Sequence, residues 1–94
     1  MSLKRIVKIS TTWCGPCKTY APIFDKVTEA YKDEISIEKI DADNTNKEED
    51  ELIAKFSIRN IPTTLFLDEN DELIKKTVGS VSENELKKII EDEK

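Results

Sequence analysis

The chain contains no histidine and only two cysteines. A tetrahedral zinc site takes about four ligands, mostly Cys and His, so a metal here would need carboxylates or a second subunit, and none is expected. Positive charge is in deficit, with 15 Lys and Arg against 20 Asp and Glu for a net charge of -5. Affinity for a phosphate backbone rests largely on Lys and Arg displacing counterions, which argues against a nucleic-acid partner. No apolar run approaches the roughly 20 residues needed to span a bilayer, so no membrane role is expected either. The opening Met1-Ser2-Leu3-Lys4-Arg5 leads into too short an apolar stretch for a secretory signal. The expected address is therefore cytoplasmic. Thiols are kept reduced there, so two cysteines in a chain that needs no staple point to reactivity or metal binding rather than to a structural bridge. Internal repeats, low-complexity tracts and linkers are missing as well.

What is present is enough for one domain, residues 1–94. A chain of 94 residues encloses a single hydrophobic core and cannot divide into two that are each stable alone. Hydrophobic and charged residues each make up 37%, a lean composition still too rich in Ile, Leu, Val and Phe for disorder. A compact, very soluble protein is expected, and a monomer. Charge is unevenly distributed: residues 1–24 hold Lys4, Arg5, Lys8 and Lys18 and no acid.

Hydrophobic periodicity orders the elements. Leu3 to Ser10, with β-branched Ile6, Val7 and Ile9, reads as a strand. Tyr20, Ile23, Phe24, Val27, Ala30 and Tyr31 follow helical spacing, so a helix begins at the cysteines and runs to about Lys32, with Pro22 as a kink. Ile35, Ile37 and Ile40 mark a second strand that ends at Asp41-Ala42-Asp43. Lys47 to Phe56 reads as an acidic helix buried through Leu52, Ile53 and Phe56. Thr63 to Leu67 and Leu73 to Val78 form a hairpin across Asp68 to Glu72. Ser82 followed by Glu85 has the form of a capping box for a last helix that buries Leu86, Ile89 and Ile90. The order βαβαββα, a right-handed parallel crossover and an antiparallel hairpin define an α/β fold. Its simplest closed form is a four-stranded mixed sheet, order 2-1-3-4, flanked by helices on both faces.

The segment Trp13-Cys14-Gly15-Pro16-Cys17-Lys18 carries the chemistry. Two thiols separated by two residues at a helix start can close a disulfide with little backbone movement. The positive end of the helix dipole and its unpaired N–H groups favour a thiolate, and Cys14 is placed to be that nucleophile. Cys17, one turn inward, is the resolving thiol. Pro16 suits the first helical turn, because it lacks an N–H and its φ is fixed. Gly15 leaves the approach open, and Trp13 supplies an apolar wall.

WCGPCK resembles the thioredoxin family closely, and thioredoxin is itself a standard case of a cysteine with lowered pKa in a CxxC motif. Pro22 matches the family's helix kink, Ile61-Pro62-Thr63 its cis-proline loop, and Gly79 the glycine that shapes its substrate groove. All two glycines and three prolines fall where the family uses them. The resemblance implies a cis Pro62 across from the cysteines and an Ile61 backbone that hydrogen-bonds extended substrate. It implies a protein-disulfide reductase that uses no cofactor beyond the Cys14–Cys17 disulfide. The expected electron donor is a thioredoxin reductase, and the expected substrates are disulfide-containing proteins. A glutathione-linked role and a redox-independent binding subunit are the alternatives.

Three departures stand out. Only 13 residues precede Cys14, so the fold should be the family's minimal form, with one sheet edge exposed. The acidic helix region and the hairpin are longer than is typical. Finally, Lys8 occupies a strand position where the family usually has a buried Asp that assists the second thiol, and Lys39 matches the lysine that often accompanies that Asp. Lys8 either stays buried and modulates Cys17, or carries its ammonium out to solvent and does nothing.

Overall fold

In a computed structural model that describes residues 2–94, seven elements follow one another as β1 (Leu3–Ser10), α1 (Gly15–Glu29), β2 (Ser36–Asp41), α2 (Lys47–Lys55), β3 (Thr63–Asp68), β4 (Leu73–Val78) and α3 (Glu83–Glu93). The four strands form one sheet in the order β2-β1-β3-β4. β1 pairs with β2 in parallel, while β1–β3 and β3–β4 are antiparallel. This is the βαβαββα mixed sheet that the sequence pattern calls for. β1 and β3 occupy the centre, and every residue of β3 is buried, which explains why Thr63 to Asp68 shows no polar alternation.

Each face of the sheet has its own apolar layer. On one, Ile6 and Phe66 meet Tyr20, Phe24 and Val27 of α1 and Leu86, Ile89 and Ile90 of α3. On the other, Val7, Ile9, Ile40, Leu65 and Leu67 are covered by Leu52, Ile53 and Phe56. A register shift between Leu3 and Arg5 adds one residue to β1, and it lets Leu3 join Ile6 in the α1/α3 layer.

The ends of the elements follow from local chemistry. α1 stops at Glu29, short of the expected Lys32, because the Tyr31 N–H turns back to the Thr28 carbonyl at three-residue spacing, 2.9 Å away. Tyr31 then plugs the core at 6% exposure. Ile35, expected in the second strand, is buried just ahead of β2. α2 is shallower than the pattern suggests: none of its residues is fully buried, and Leu52, Ile53 and Phe56 only half-cover their layer. Its start is nevertheless well fixed. Asn46 Oδ1 accepts the Glu49 N–H at 2.8 Å and Glu49 Oε1 accepts the Asn46 N–H at 3.0 Å, a complete capping box. At α3 the Ser82 hydroxyl accepts the Glu85 N–H at 3.2 Å. The hairpin turn is organised by Asp68, whose Oδ1 accepts the N–H groups of Asn70 and Glu72 at 2.8 and 3.1 Å.

One row of the α1/α3 face is polar. Lys39, Lys8, Thr64 and Thr77 sit side by side across β2, β1, β3 and β4. The Tyr20 hydroxyl and Thr64 Oγ1 share a hydrogen bond of 2.8 Å within it. The row lies near the C-terminal end of β1, between the apolar core and the loop that carries the cysteines.

Candidate active site

The sequence places a helix N-terminus immediately after a central strand, and the site grows from that junction. β1 ends at Ser10, three residues cross the sheet edge, and Cys14 becomes the N-cap of α1 in an extended conformation. Gly15 and Pro16 fill the first helical positions, which need no intrahelical N–H partner. Cys14 and Cys17 are joined by a disulfide with their Cα atoms 5.1 Å apart, within the ordinary range for such a bond. Cys14 Sγ accepts the Cys17 N–H at 3.2 Å. That sulfur therefore stands where a helix donates hydrogen bonds and where its dipole favours negative charge.

Cys14 is the more accessible of the pair, at 7% exposure against 3% for Cys17. No Cβ-sized obstruction lies within 4 Å at Gly15, and Pro16 is exposed. Trp13 is 67% exposed, and its indole N–H donates to Asp43 Oδ2 in the corner after β2. An aromatic plate is thus tethered beside the disulfide instead of being packed into the core.

The opposite wall comes from the loop before β3. The Ile61–Pro62 peptide bond is cis, and the Ile61 carbonyl oxygen lies 3.9 Å from Cys14 Sγ. Gly79, just past β4, adopts φ +89, a region that L side chains rarely enter. Its N–H donates to the Pro62 carbonyl at 2.8 Å, which ties the end of the hairpin to the proline loop. Cys14, Ile61, Pro62 and Gly79 are therefore brought together from three separate stretches of chain.

Lys8 lies behind the disulfide. It is only 4% exposed, and its Nζ is 5.1 Å from the centroid of the Phe24 ring. Burial is the largest influence on its pKa and pushes it down; Asp25 opposes that shift and Lys39 adds to it. Lys39 has its own partner, with its ammonium 2.7 Å from Asp25 Oδ1. A cleft of about 390 Å³ runs along this side and is lined by Lys8, Thr11, Cys17, Lys18, Lys39 and Asp41 among others.

Several of these groups carry no signal in the sequence. Asp43 and Asp25 look like any other acid of a solvated surface, and only the fold, which sets Trp13 beside the corner after β2 and α1 beside Lys39 of β2, gives them partners. Thr11, whose hydroxyl is buried with no hydrogen-bond partner, reads as ordinary loop. Asn46 with Glu49 is different, because that spacing is itself a helix-start signal.

A bonded Cys-Gly-Pro-Cys pair at the mouth of a helix, set on this four-stranded sheet, defines a thiol–disulfide oxidoreductase with disulfide-reductase chemistry. Residues 2–92 match the family model described as Thioredoxin, and the chain belongs to that family. It is 36% identical over 87 residues to a thioredoxin of Mycoplasmoides gallisepticum, covering 93% of this chain and 81% of that one. A thioredoxin of Borreliella burgdorferi is also 36% identical over 87 residues, covering 93% of this chain and 70% of its own. Among solved structures, reduced Schistosoma mansoni thioredoxin superposes with a TM-score of 0.78 at 32% identity, over 99% of this chain and 81% of that one. Fasciola hepatica thioredoxin gives a TM-score of 0.80 at 26% identity, over 99% of this chain and 84% of that one.

Proposed function

We propose that this chain is a general reductant of protein disulfides, with Cys14 as nucleophile and Cys17 as resolving thiol. The observation that carries the reading is the position of Cys14 Sγ, which accepts a helix N–H on one side and faces the Ile61 carbonyl on the other. In the reduced protein the Cys14 thiolate attacks one sulfur of a substrate disulfide. A Cys14–substrate disulfide forms, and the displaced substrate sulfur leaves as a thiolate that takes up a proton. Cys17, deprotonated, then attacks Cys14 Sγ. The Cys14–Cys17 bond forms, the mixed disulfide breaks, and the second substrate sulfur leaves as a thiol. Substrate gains two electrons and the protein loses two.

Substrate binding falls to the surface around Cys14. Trp13, Gly15 and Pro16 offer an open, partly apolar floor, and the Ile61 backbone is oriented for an extended segment, a recognition mode that reads main chain more than side chains. Pro62 and Gly79 hold that backbone in place through their mutual hydrogen bond. A dithiol that must be regenerated suits a compartment that supplies electrons, so the working location is the cytoplasm and the donor a thioredoxin reductase.

An insulin-reduction assay coupled in turn to thioredoxin reductase and to glutathione tests this. Turnover with the reductase is expected, and efficient turnover with glutathione alone would contradict the assignment of the donor. Cys14→Ser should abolish turnover, since it removes the attacking sulfur. Cys17→Ser should leave the first attack intact and accumulate substrate on Cys14, detectable as a covalent adduct by mass spectrometry. A Cys14→Ser, Cys17→Ser variant with full biological activity would instead mark a binding subunit that does not cycle its thiols.

A further inference from the structure

The resolving step leaves one proton unaccounted for. Cys17 must lose it before it can attack Cys14, yet Cys17 is buried at 3% exposure and its surroundings are short of acceptors. The charged and titratable groups that share the cleft with it are Lys8 from β1, Lys18 from α1, and Lys39 and Asp41 from β2. Asp25 of α1 is held by Lys39, and the Tyr20 phenol is engaged with Thr64. Asp41 Oδ1 accepts the Asp43 N–H at 3.0 Å and lies at the exposed end of β2. Lys18 is exposed.

Lys8 differs from all of these. It is as buried as Cys17, and among the described residues no carboxylate lies within salt-bridge distance of its ammonium. Its ammonium lies over the face of the Phe24 ring, which holds a cation less firmly than a carboxylate does. Asp25, the carboxylate that favours the charged form of Lys8, is itself held by Lys39. Lys8 and Cys17 line one cleft of about 390 Å³, ample room for solvent, and Thr11, whose buried hydroxyl has no hydrogen-bond partner, belongs to the same lining.

Building on the reductase reading above, we infer that Lys8 is the proton acceptor of the resolving step: the Cys17 thiol passes its proton across the cleft to the Lys8 amine and so becomes the attacking thiolate. The step balances. Lys8 becomes an ammonium as Cys17 becomes a thiolate, the thiolate forms the Cys14–Cys17 bond, and the substrate sulfur that leaves takes a proton back. Burial lowers the pKa of Lys8, which makes the neutral amine accessible at a pH where an exposed lysine is fully charged. Amine and thiol then titrate as a coupled pair. Lys8 acts through Cys17 and touches no substrate, so it is a positioning residue.

Two measurements test this on the full chain. In Lys8→Met the attack of Cys14 on a disulfide substrate should stay within about twofold of the parent. Release of the mixed disulfide at pH 7 should slow by about tenfold, the change in thiolate fraction for one pH unit, and its pH profile should move to higher pH. Lys8→Arg keeps the charge without an accessible proton exchange and should not restore the rate. An unchanged release profile in Lys8→Met, or full rescue by Arg, would overturn the inference while leaving the reductase reading intact. Loss of disulfide reduction in the unsubstituted protein would instead strike the reductase reading. As a check that needs no substitution, the unsubstituted chain with Cys14 alkylated should show Lys8 Nζ by nitrogen NMR and Cys17 by thiolate absorbance titrating over a shared pH range. Independent titrations would overturn the inference.

Discussion

Cys14 Sγ stands at a helix end that supplies it with one backbone hydrogen bond, and the residues behind it are set by burial. Tyr20 is fully buried, and its hydroxyl is raised to about 12 from an ordinary 10.0, chiefly by desolvation of the phenolate and in part opposed by Thr64. The folded state holds this proton more tightly than the unfolded chain does. The associated stability is therefore complete below pH 10 and disappears as the pH rises through 12. Tyr20→Phe should cost about 1 kcal/mol at pH 7, because Thr64 loses its partner. It should also flatten the alkaline fall in stability over that window, as followed by denaturant midpoints at a series of pH values. The fall should not vanish, since Tyr31, hydrogen-bonded to Glu91, is also raised to about 12.

The residues differ in how openly the sequence declares them. Cys14, Gly15, Pro16 and Cys17 are local: four consecutive side chains decide where a helix starts and which sulfur caps it, so spacing alone reveals the pair. Ile61, 47 positions beyond Cys14, is brought near only by the crossover through β2 and α2, and resemblance is what points to it. Lys8 is intermediate. Its place in an apolar strand is visible, but whether a lysine there lies buried or reaches solvent depends on the roof that Phe24 and the neighbouring row provide. The tethers Trp13–Asp43 and Lys39–Asp25 are invisible beforehand, because an acid on an acidic surface acquires meaning only from what packs beside it.

At the scale of elements, the strands read most reliably, since β1 and β3 are buried on both faces and their apolar runs have no other explanation. Helix ends read less well. α1 is limited by Tyr31, which leaves the helical path to fill the core, and apolar periodicity cannot distinguish a side chain on the helix from one just past it. α2 is held weakly by burial and firmly by its cap. Asn46→Ala should therefore cost about 1 kcal/mol, which for a domain of this size lowers Tm by roughly 4–8 °C. Hydrogen exchange should speed up in the first turn of α2, while disulfide reduction remains at the parental rate, because α2 lies on the sheet face away from Lys8 and α1. A comparable loss of activity would mean that α2 supports the site more directly than its position indicates.

For the molecule as a whole, central β1 delivers its following helix to one edge of the sheet, antiparallel β3 begins at that same edge with the proline loop, and the β3–β4 hairpin returns Gly79 to it. Two layers of core fix that arrangement, so the site inherits its geometry from the packing of Ile6, Phe24, Phe66 and Leu86 on one side and Val7, Leu65 and Leu67 on the other. The fold thereby brings a sulfur at a helix mouth within bonding range of its neighbour one turn deeper. The most direct measurement is a redox titration of the purified chain against mixtures of reduced and oxidised dithiothreitol, with free thiols counted and Trp13 fluorescence followed together. A single reversible two-electron transition, in which both signals move in step, is expected. A chain whose cysteines stay unreactive, or that opens its disulfide only on unfolding, would contradict the assignment however well its shape matches.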